Sequence, residues 1–190
     1  MKPKTISDAT RVAILDAAWE LIAEEGRLDI AQQDIARRAG VSRQTVFYAF
    51  GDRAGLLVAM VRHKDTKSDH VDRIRAAMAA PDDGIEGMLR VVGAWLDYLP
   101  EIYPVGILLD AASLADAAAR AAWSDRMNAV HVAVRHKAGA ISDEPDRVAD
   151  EIWALCHPTQ WRRLVVERGW SAEAFRASRF RLARSVLERS

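Results

Sequence analysis

The chain has 190 residues, half of them apolar, with 27 basic and 27 acidic residues that balance to zero formal net charge. That length and apolar content support a sizeable core and exclude a disordered chain, and the neutral balance excludes a uniformly basic nucleic-acid binder. Glycine and proline are sparse and no β-branched run alternates with polar residues, so the expected fold class is all-α.

About nine helices are expected, in the following order. The opening MKPKTISDATR has bases but no apolar stretch, so no signal peptide is expected there. The first helix runs from about Asp8 to Glu25, with Val12, Leu15, Trp19 and Ile22 at helical spacing and Gly26 ending it. Asp29 with Gln32 resembles a capping box opening the second helix, which ends at Gly40. Ser42 caps a short third helix. Gly51-Asp52 opens a long fourth one, expected to reach about Ala80.

Pro81-Asp82-Asp83-Gly84 reads as a linker, and Asp83 with Glu86 fits another capping box. Met88, Val91, Trp95 and Leu99 form the buried stripe of the fifth helix, which Pro100 is expected to break. Glu101 to Ser113 is a short helix, irregular near Pro104 and Gly106. Asp116 to Lys137 follows with the stripe Trp123, Met127, Val130 and Val134. The eighth helix spans about Asp146 to Glu167 and is interrupted at His157-Pro158, because proline restricts the residue before it. Gly169 stops it and Ser171 caps a final helix with Phe175, Arg179, Leu182 and Val186 on one face. There is no internal repeat. The expected division is a helix-turn-helix domain over residues 1–51 and a connector helix plus bundle over 52–190.

Single Cys156 excludes an internal disulfide and fits a reducing compartment. With no apolar run of membrane-span length, a soluble cytoplasmic protein is the expectation.

Chemistry concentrates between Asp34 and Leu57, in DIARRAGVSRQTVFYAFGDRAGLL. Ile35 and Ala36 face inward and Ala39-Gly40-Val41 makes a turn. The helix after it carries Arg43, Gln44, Thr45, Phe47 and Tyr48, a side-chain set that a DNA major groove accepts. Between Ile30 and Lys64, six bases stand against only Asp34 and Asp52, so the footprint is locally basic on a neutral chain. Arg43 suits guanine and Gln44 suits adenine through paired hydrogen bonds; Thr45 and Tyr48 suit phosphates or a thymine methyl. Arg53, opening the fourth helix, suits a phosphate. Val41, Val46 and Phe50 belong to the core of this head, and Arg37 and Arg38 to a solvated face. The competing reading is an Arg-bearing face that touches nothing.

This segment closely resembles the signature of the tetracycline-repressor (TetR) family of bacterial transcription regulators, over about Val12 to Met60. Beyond it, the resemblance rests on helix count and on the LVVERGWSAEAF ending from Leu164. The resemblance implies a homodimer whose heads bind a palindromic operator on double-stranded DNA and whose bundle binds an inducer. On that pattern Ser42, Arg43, Gln44, Thr45, Phe47, Tyr48 and Arg53 are the DNA-binding residues. Three positions depart from it: Phe47 where Tyr is usual, Arg53 where Lys is usual, and Ala31 where Ser or Thr is common. The expected function is a sequence-specific regulator, a repressor released by a small-molecule effector that spreads the fourth helices. The alternative is a helical interaction protein, or an activator, that keeps the fold with weak or no operator binding.

For the effector, the aromatic and Met residues Met88, Trp95, Tyr103, Trp123, Met127 and Trp153 are the candidate pocket lining, suited to a small lipophilic or aromatic molecule. Simple core filling is the competing account of each. Trp161, Leu164 and Val165 with Phe175, Leu182 and Val186 offer two apolar faces for dimerisation, which would set two heads about 34–36 Å apart. Catalysis is not expected and no cofactor is implied. His131 and His136 are five apart and point away from each other on a helix. Cys156 and His157 are adjacent and do not face each other, and no phosphate-binding glycine loop is present.

Overall fold

The structure, a computed structural model, describes residues 6–81 and 84–189. Among these the fold is all-α: α1 (Asp8–Glu25), α2 (Gln32–Arg38), α3 (Arg43–Phe50), α4 (Arg53–Lys67), α5 (His70–Ala79), α6 (Ile85–Ala112), α7 (Ala117–Ala138), α8 (Pro145–Leu155), α9 (Pro158–Trp161) and α10 (Ala172–Leu187). A single π-helical turn, Arg162–Val166, continues α9. No helix among the described residues is long and apolar enough to cross a membrane.

Three boundaries differ from those read in the sequence. The long fourth helix is two helices. Ser68 Oγ accepts the N–H of His70 at 3.2 Å, so the serine side chain takes a donor that a continuous helix would use. Pro100 does not break the fifth helix, and α6 runs through both Pro100 and Pro104. Proline in a helix interior costs about 3 kcal/mol, whereas each buried Leu, Ile or Val side chain returns about 1.5–3 kcal/mol. Leu99, Ile102, Val105 and Leu109 are all essentially inaccessible, and both proline rings lie on the exposed side. Finally, the second helix has no capping box. Its N-cap is Ala31, without a side-chain hydrogen bond, while Asp29 is engaged by Arg27. The Asp83–Glu86 pair involves Asp83, which lies outside the described residues.

The break expected at His157-Pro158 is present. It leaves the carbonyl of Cys156 at a helix end, and the buried Trp95 indole donates to it at 2.9 Å.

The chain forms two compact units, Met1–Lys67 with Pro104–Asp125, and Ser68–Tyr103 with Arg126–Ser190. In the first, α1 packs on α2 and α4, α2 on α3, and α3 on α4. Its core holds Ile14, Ala18, Leu21, Ile22, Ile35, Val46, Leu57 and Met60. The buried face of α1 is rotated from the expected stripe: Leu15 and Ile22 are inside, but Trp19 is half-buried and Val12 is exposed. Apolar residues lie all round this helix, so spacing alone does not choose a face.

In the second unit α8 packs on α10. Its core contains His70, only 1 % exposed, stacked on Tyr98 with ring centroids 3.5 Å apart. Arg126 donates from Nη2 to His70 Nε2 at 3.0 Å and lies over the Trp95 ring at 4.8 Å. Burial first, then the charges of Arg126 and Arg73, push the imidazole down to about 3. His70 is therefore neutral in the folded protein and binds a proton only on unfolding. Its contribution to stability is complete above about pH 6.5 and falls as pH drops toward 3, with a slope of up to about 1.4 kcal/mol per pH unit. Urea unfolding at pH 7.5, 6.5 and 5.5 (values chosen at roughly unit steps) should show this fall, and His70→Gln should flatten it. An equal slope in both proteins would assign the pH dependence to other groups.

Candidate nucleic-acid interface

The turn between α2 and α3 is closed by backbone chemistry. Val41 N–H reaches the Ala36 carbonyl at 2.9 Å, and Gly40 adopts φ 67, a conformation L side chains rarely take. Ser42 then caps α3: its Oγ accepts the Thr45 N–H at 3.1 Å and lies 2.9 Å from the Thr45 hydroxyl. Val46 is completely buried, with Val41 and Phe50 half-buried beside it. The opposite side of α3 is open. Arg43 and Gln44 are exposed, and Phe47 and Tyr48 are 57 % and 68 % exposed, an aromatic pair left to solvent. Gln44 Nε2 donates to the Tyr48 hydroxyl at 2.8 Å, so one candidate base reader is already oriented by its neighbour one turn on.

Two arrangements hold this helix in place. Arg11 on α1 donates to the carbonyl of Ala49 at 2.6 Å and lies 4.6 Å over the Phe50 ring. Gly55 on α4 passes so near the end of α3 that a Cβ there would run into the Phe50 carbonyl oxygen. Neither residue stands out in the sequence, since a single arginine on an amphipathic helix and a single helical glycine are common.

The local excess of bases is smaller in space than along the chain. Arg38 bonds Glu24, Arg37 bonds Asp34, Arg62 forks onto Asp125, and Arg53 Nη1 donates to Asp116 Oδ2 at 2.5 Å. Arg37 and Arg38 thus sit on a paired, solvated face. Arg43 has no ion-pair partner among the described residues.

Beside the reader face is a concavity of about 480 Å³ lined by Ser7, Thr10, Ser42, Gln44, Thr45 and Tyr48, with Ile6 and Val41. Ser7 and Thr10 repeat the hydroxyl pair of Ser42 and Thr45: Ser7 caps α1 through the Thr10 N–H, and the two hydroxyls are 2.9 Å apart. Sequence reasoning missed Ser7 and Thr10. The Ser-x-x-Thr spacing shared by the two helix starts was the available signal.

The six candidate effector residues fall in both units. Met88, Trp95 and Met127 are buried in the second unit and Trp123 in the first; Tyr103 and Trp153 are half-buried in the second. Two of the polar tips are occupied, Trp95 by the Cys156 carbonyl and Trp123 by Asp110 at 3.0 Å. Cavities of about 510 and 410 Å³ in the second unit are lined by other residues. Of the apolar faces assigned to dimerisation, Trp161, Phe175 and Val186 are buried and Leu164 and Val165 half-buried, whereas Leu182 remains 42 % exposed; nearby, Val166 and Trp170 are also exposed. Cys156 is buried and its thiol is pushed up to about 12, while His157 caps α9 through Thr159. No cluster of three or more His, Cys, Asp or Glu among the described residues could hold a metal ion.

Residues 14–60 match the family of bacterial regulatory proteins described as the tetR family. The HTH-type transcriptional regulator BetI of Rhizobium meliloti (strain 1021) is 33 % identical over 104 residues, 48 % of this chain and 51 % of that protein. The chain thus spans about half the length of the curated relatives it matches. Solved structures extend the likeness to the whole fold. A TetR-like transcriptional regulator from Rhodococcus sp. RHA1 superposes with a TM-score of 0.70 at 16 % identity, covering 98 % of this chain and 100 % of that one. The TetR-like regulator LfrR of Mycobacterium smegmatis, in complex with proflavine, superposes with a TM-score of 0.60 at 26 % identity, covering 94 % and 97 %.

Gly55→Ala should lower stability by about 1–3 kcal/mol, the usual cost of forcing an extra methyl into filled space, because α3 or α4 must move. Urea denaturation measures this. An unchanged midpoint would show that the two helices separate without cost.

Proposed function

We propose, for a chain whose residues 14–60 match the tetR family of bacterial regulatory proteins, that it is a sequence-specific transcriptional regulator, a repressor released from a palindromic operator by a small-molecule effector. The observation that carries this is the exposed face of α3. Arg43 without an ion pair, Gln44 bonded to Tyr48, and Phe47 left to solvent sit on a helix whose other side is locked into the core. A folded head has no internal use for that face, and its side chains suit base edges and the DNA backbone.

In this reading residues 1–51 bind DNA and residues 52–190 carry connection, effector response and dimerisation. Arg43 and Gln44 read bases. Ser42, Thr45, Phe47 and Tyr48 contact backbone or thymine methyls, and Arg53 contacts a phosphate. Ser7 and Thr10, across the hydroxyl-lined concavity, extend the backbone contact. Exposed Leu182, Val166 and Trp170 support pairing with a second copy, which a palindrome requires. The effector is a small lipophilic or aromatic molecule acting on the bundle of residues 52–190, with Met88, Trp95, Tyr103, Trp123, Met127 and Trp153 as the candidate residues for it. The LfrR complex with proflavine supports that class.

Two measurements test this reading. Duplexes enriched from a random library by the unaltered protein should converge on a palindrome. Arg43→Ala and Gln44→Ala should each relax one position, at about 1–3 kcal/mol of discrimination per lost bidentate contact. Recovery of no common sequence would remove the specific regulator and favour the interaction protein. Separately, Leu182→Glu should convert a sedimenting dimer to monomer at micromolar concentration and weaken palindrome binding far more than half-site binding. An unaltered dimer would place the interface elsewhere.

A further inference from the structure

Arg53, the candidate phosphate contact, already has an anionic partner. Its Nη1 donates to Asp116 Oδ2 at 2.5 Å. The other carboxylate oxygen of Asp116 accepts the N–H groups of Ala118 at 2.9 Å and Ala119 at 3.1 Å. The carboxylate is therefore fixed at the first turn of α7, and the hydrogen bond from Arg53 holds its carboxyl below the usual range. Asp29 is also lowered, first by its hydrogen bond from Arg27 and least by the charge of Arg53.

A second bridge of the same kind stands farther along both helices. Arg62 donates from Nε and Nη2 to Asp125 at 3.0 and 2.7 Å, and both pairs have a sequence separation of 63. So α4 and the start of α7, all within the first unit, carry guanidinium and carboxylate in one repeated stagger. The two bridges differ in position. Arg53 follows the reader helix directly, whereas Arg62 is about 13 Å farther along α4, beyond the ~10 Å screening length at 0.1 M salt.

A guanidinium has donors to spare, so a phosphate could still find an N–H on Arg53. What the carboxylate removes is charge. With Asp116 alongside, the pair presents almost no net charge to a phosphate, and phosphate attraction is the part of DNA affinity that net charge supplies. We infer that Asp116 is an affinity-setting residue for DNA: it occupies Arg53 and holds backbone binding below what the head would otherwise reach. This rests on the DNA-binding reading above. It also makes the α6–α7 connection, residues 113–116, a place where withdrawal of one carboxylate strengthens the grip on DNA.

The test uses the full chain and a fluorescein-labelled duplex of unrelated sequence, roughly three DNA turns long, because a phosphate contact acts on all sequences alike. Anisotropy titrations from about 50 to 200 mM KCl compare the unaltered protein with Asp116→Asn, Asp125→Asn, Arg53→Ala and Asp116→Asn combined with Arg53→Ala. Asn keeps the cap of α7, so the variant folds. Asp116→Asn should tighten binding about two- to fivefold near 0.1 M salt, the range of an exposed ion pair. It should also steepen the slope of log affinity against log salt by up to about 0.9, which a merely structural role would not do. Asp125→Asn should change neither, and the gain should vanish without Arg53. The inference is overturned by no gain, by an equal gain from Asp125→Asn, or by a gain that survives Arg53→Ala. A chain that binds duplex but ignores Asp116→Asn loses this inference alone. A chain that binds no duplex at any salt loses the DNA-binding reading and this inference together.

Discussion

Arg11 reaches across 38 residues to the Ala49 carbonyl, and the presentation of α3 depends on that contact. The last carbonyls of a helix have no partner of their own, and a short helix has few others with which to hold its position. Here a charged donor takes one of them while its guanidinium plane covers Phe50. On the other side, Gly55 lets α4 come up to the same helix end without a side chain between. Val46 seals the inner face. These restraints leave the remaining face of α3 fixed in orientation yet exposed, which a reader of base edges needs.

Charge in this protein is arranged in pairs more than in patches. Along the chain the head is basic. In space acids answer most of those bases, Asp34 for Arg37 from within the same segment, and Glu24 for Arg38, Asp116 for Arg53 and Asp125 for Arg62 from outside it. Arg43, on the reader face, has no ion pair among the described residues. Each exposed pair contributes little to stability. Their larger effect is to neutralise bases flanking α3 while Arg43, on the reader face, keeps its positive charge for a polyanion.

The second unit shows the complementary device, polar groups placed deep inside and answered there. His70 stacks on Tyr98 and accepts from Arg126, which in turn lies over Trp95. Trp95 closes the loop by donating to the carbonyl freed where Pro158 ends α8. Trp95, one of the aromatic residues that suggested a ligand pocket in the sequence, is in this way a partner for buried polar groups. A stripe of Trp and Met at helical spacing looks the same whether it faces a cavity or a neighbouring helix, which is why the sequence left both accounts open.

The sequence by itself determined the all-α class, the turn and short helix from Asp34 to Phe50, the Ser42 and Ser171 caps, and the break at His157-Pro158. Each of these is set within a few residues, by turn glycine, capping hydroxyl or proline ring, and so needs no distant partner. Tertiary structure decided what depends on energies from far along the chain. Burial of Leu99, Ile102, Val105 and Leu109 carried α6 through two prolines. Packing chose Ile14 and Leu21 over Val12 and Trp19 as the inner face of an all-round apolar α1. Folding also brought Asp116 to Arg53 and Arg11 to Ala49, contacts 63 and 38 residues apart that no local pattern encodes.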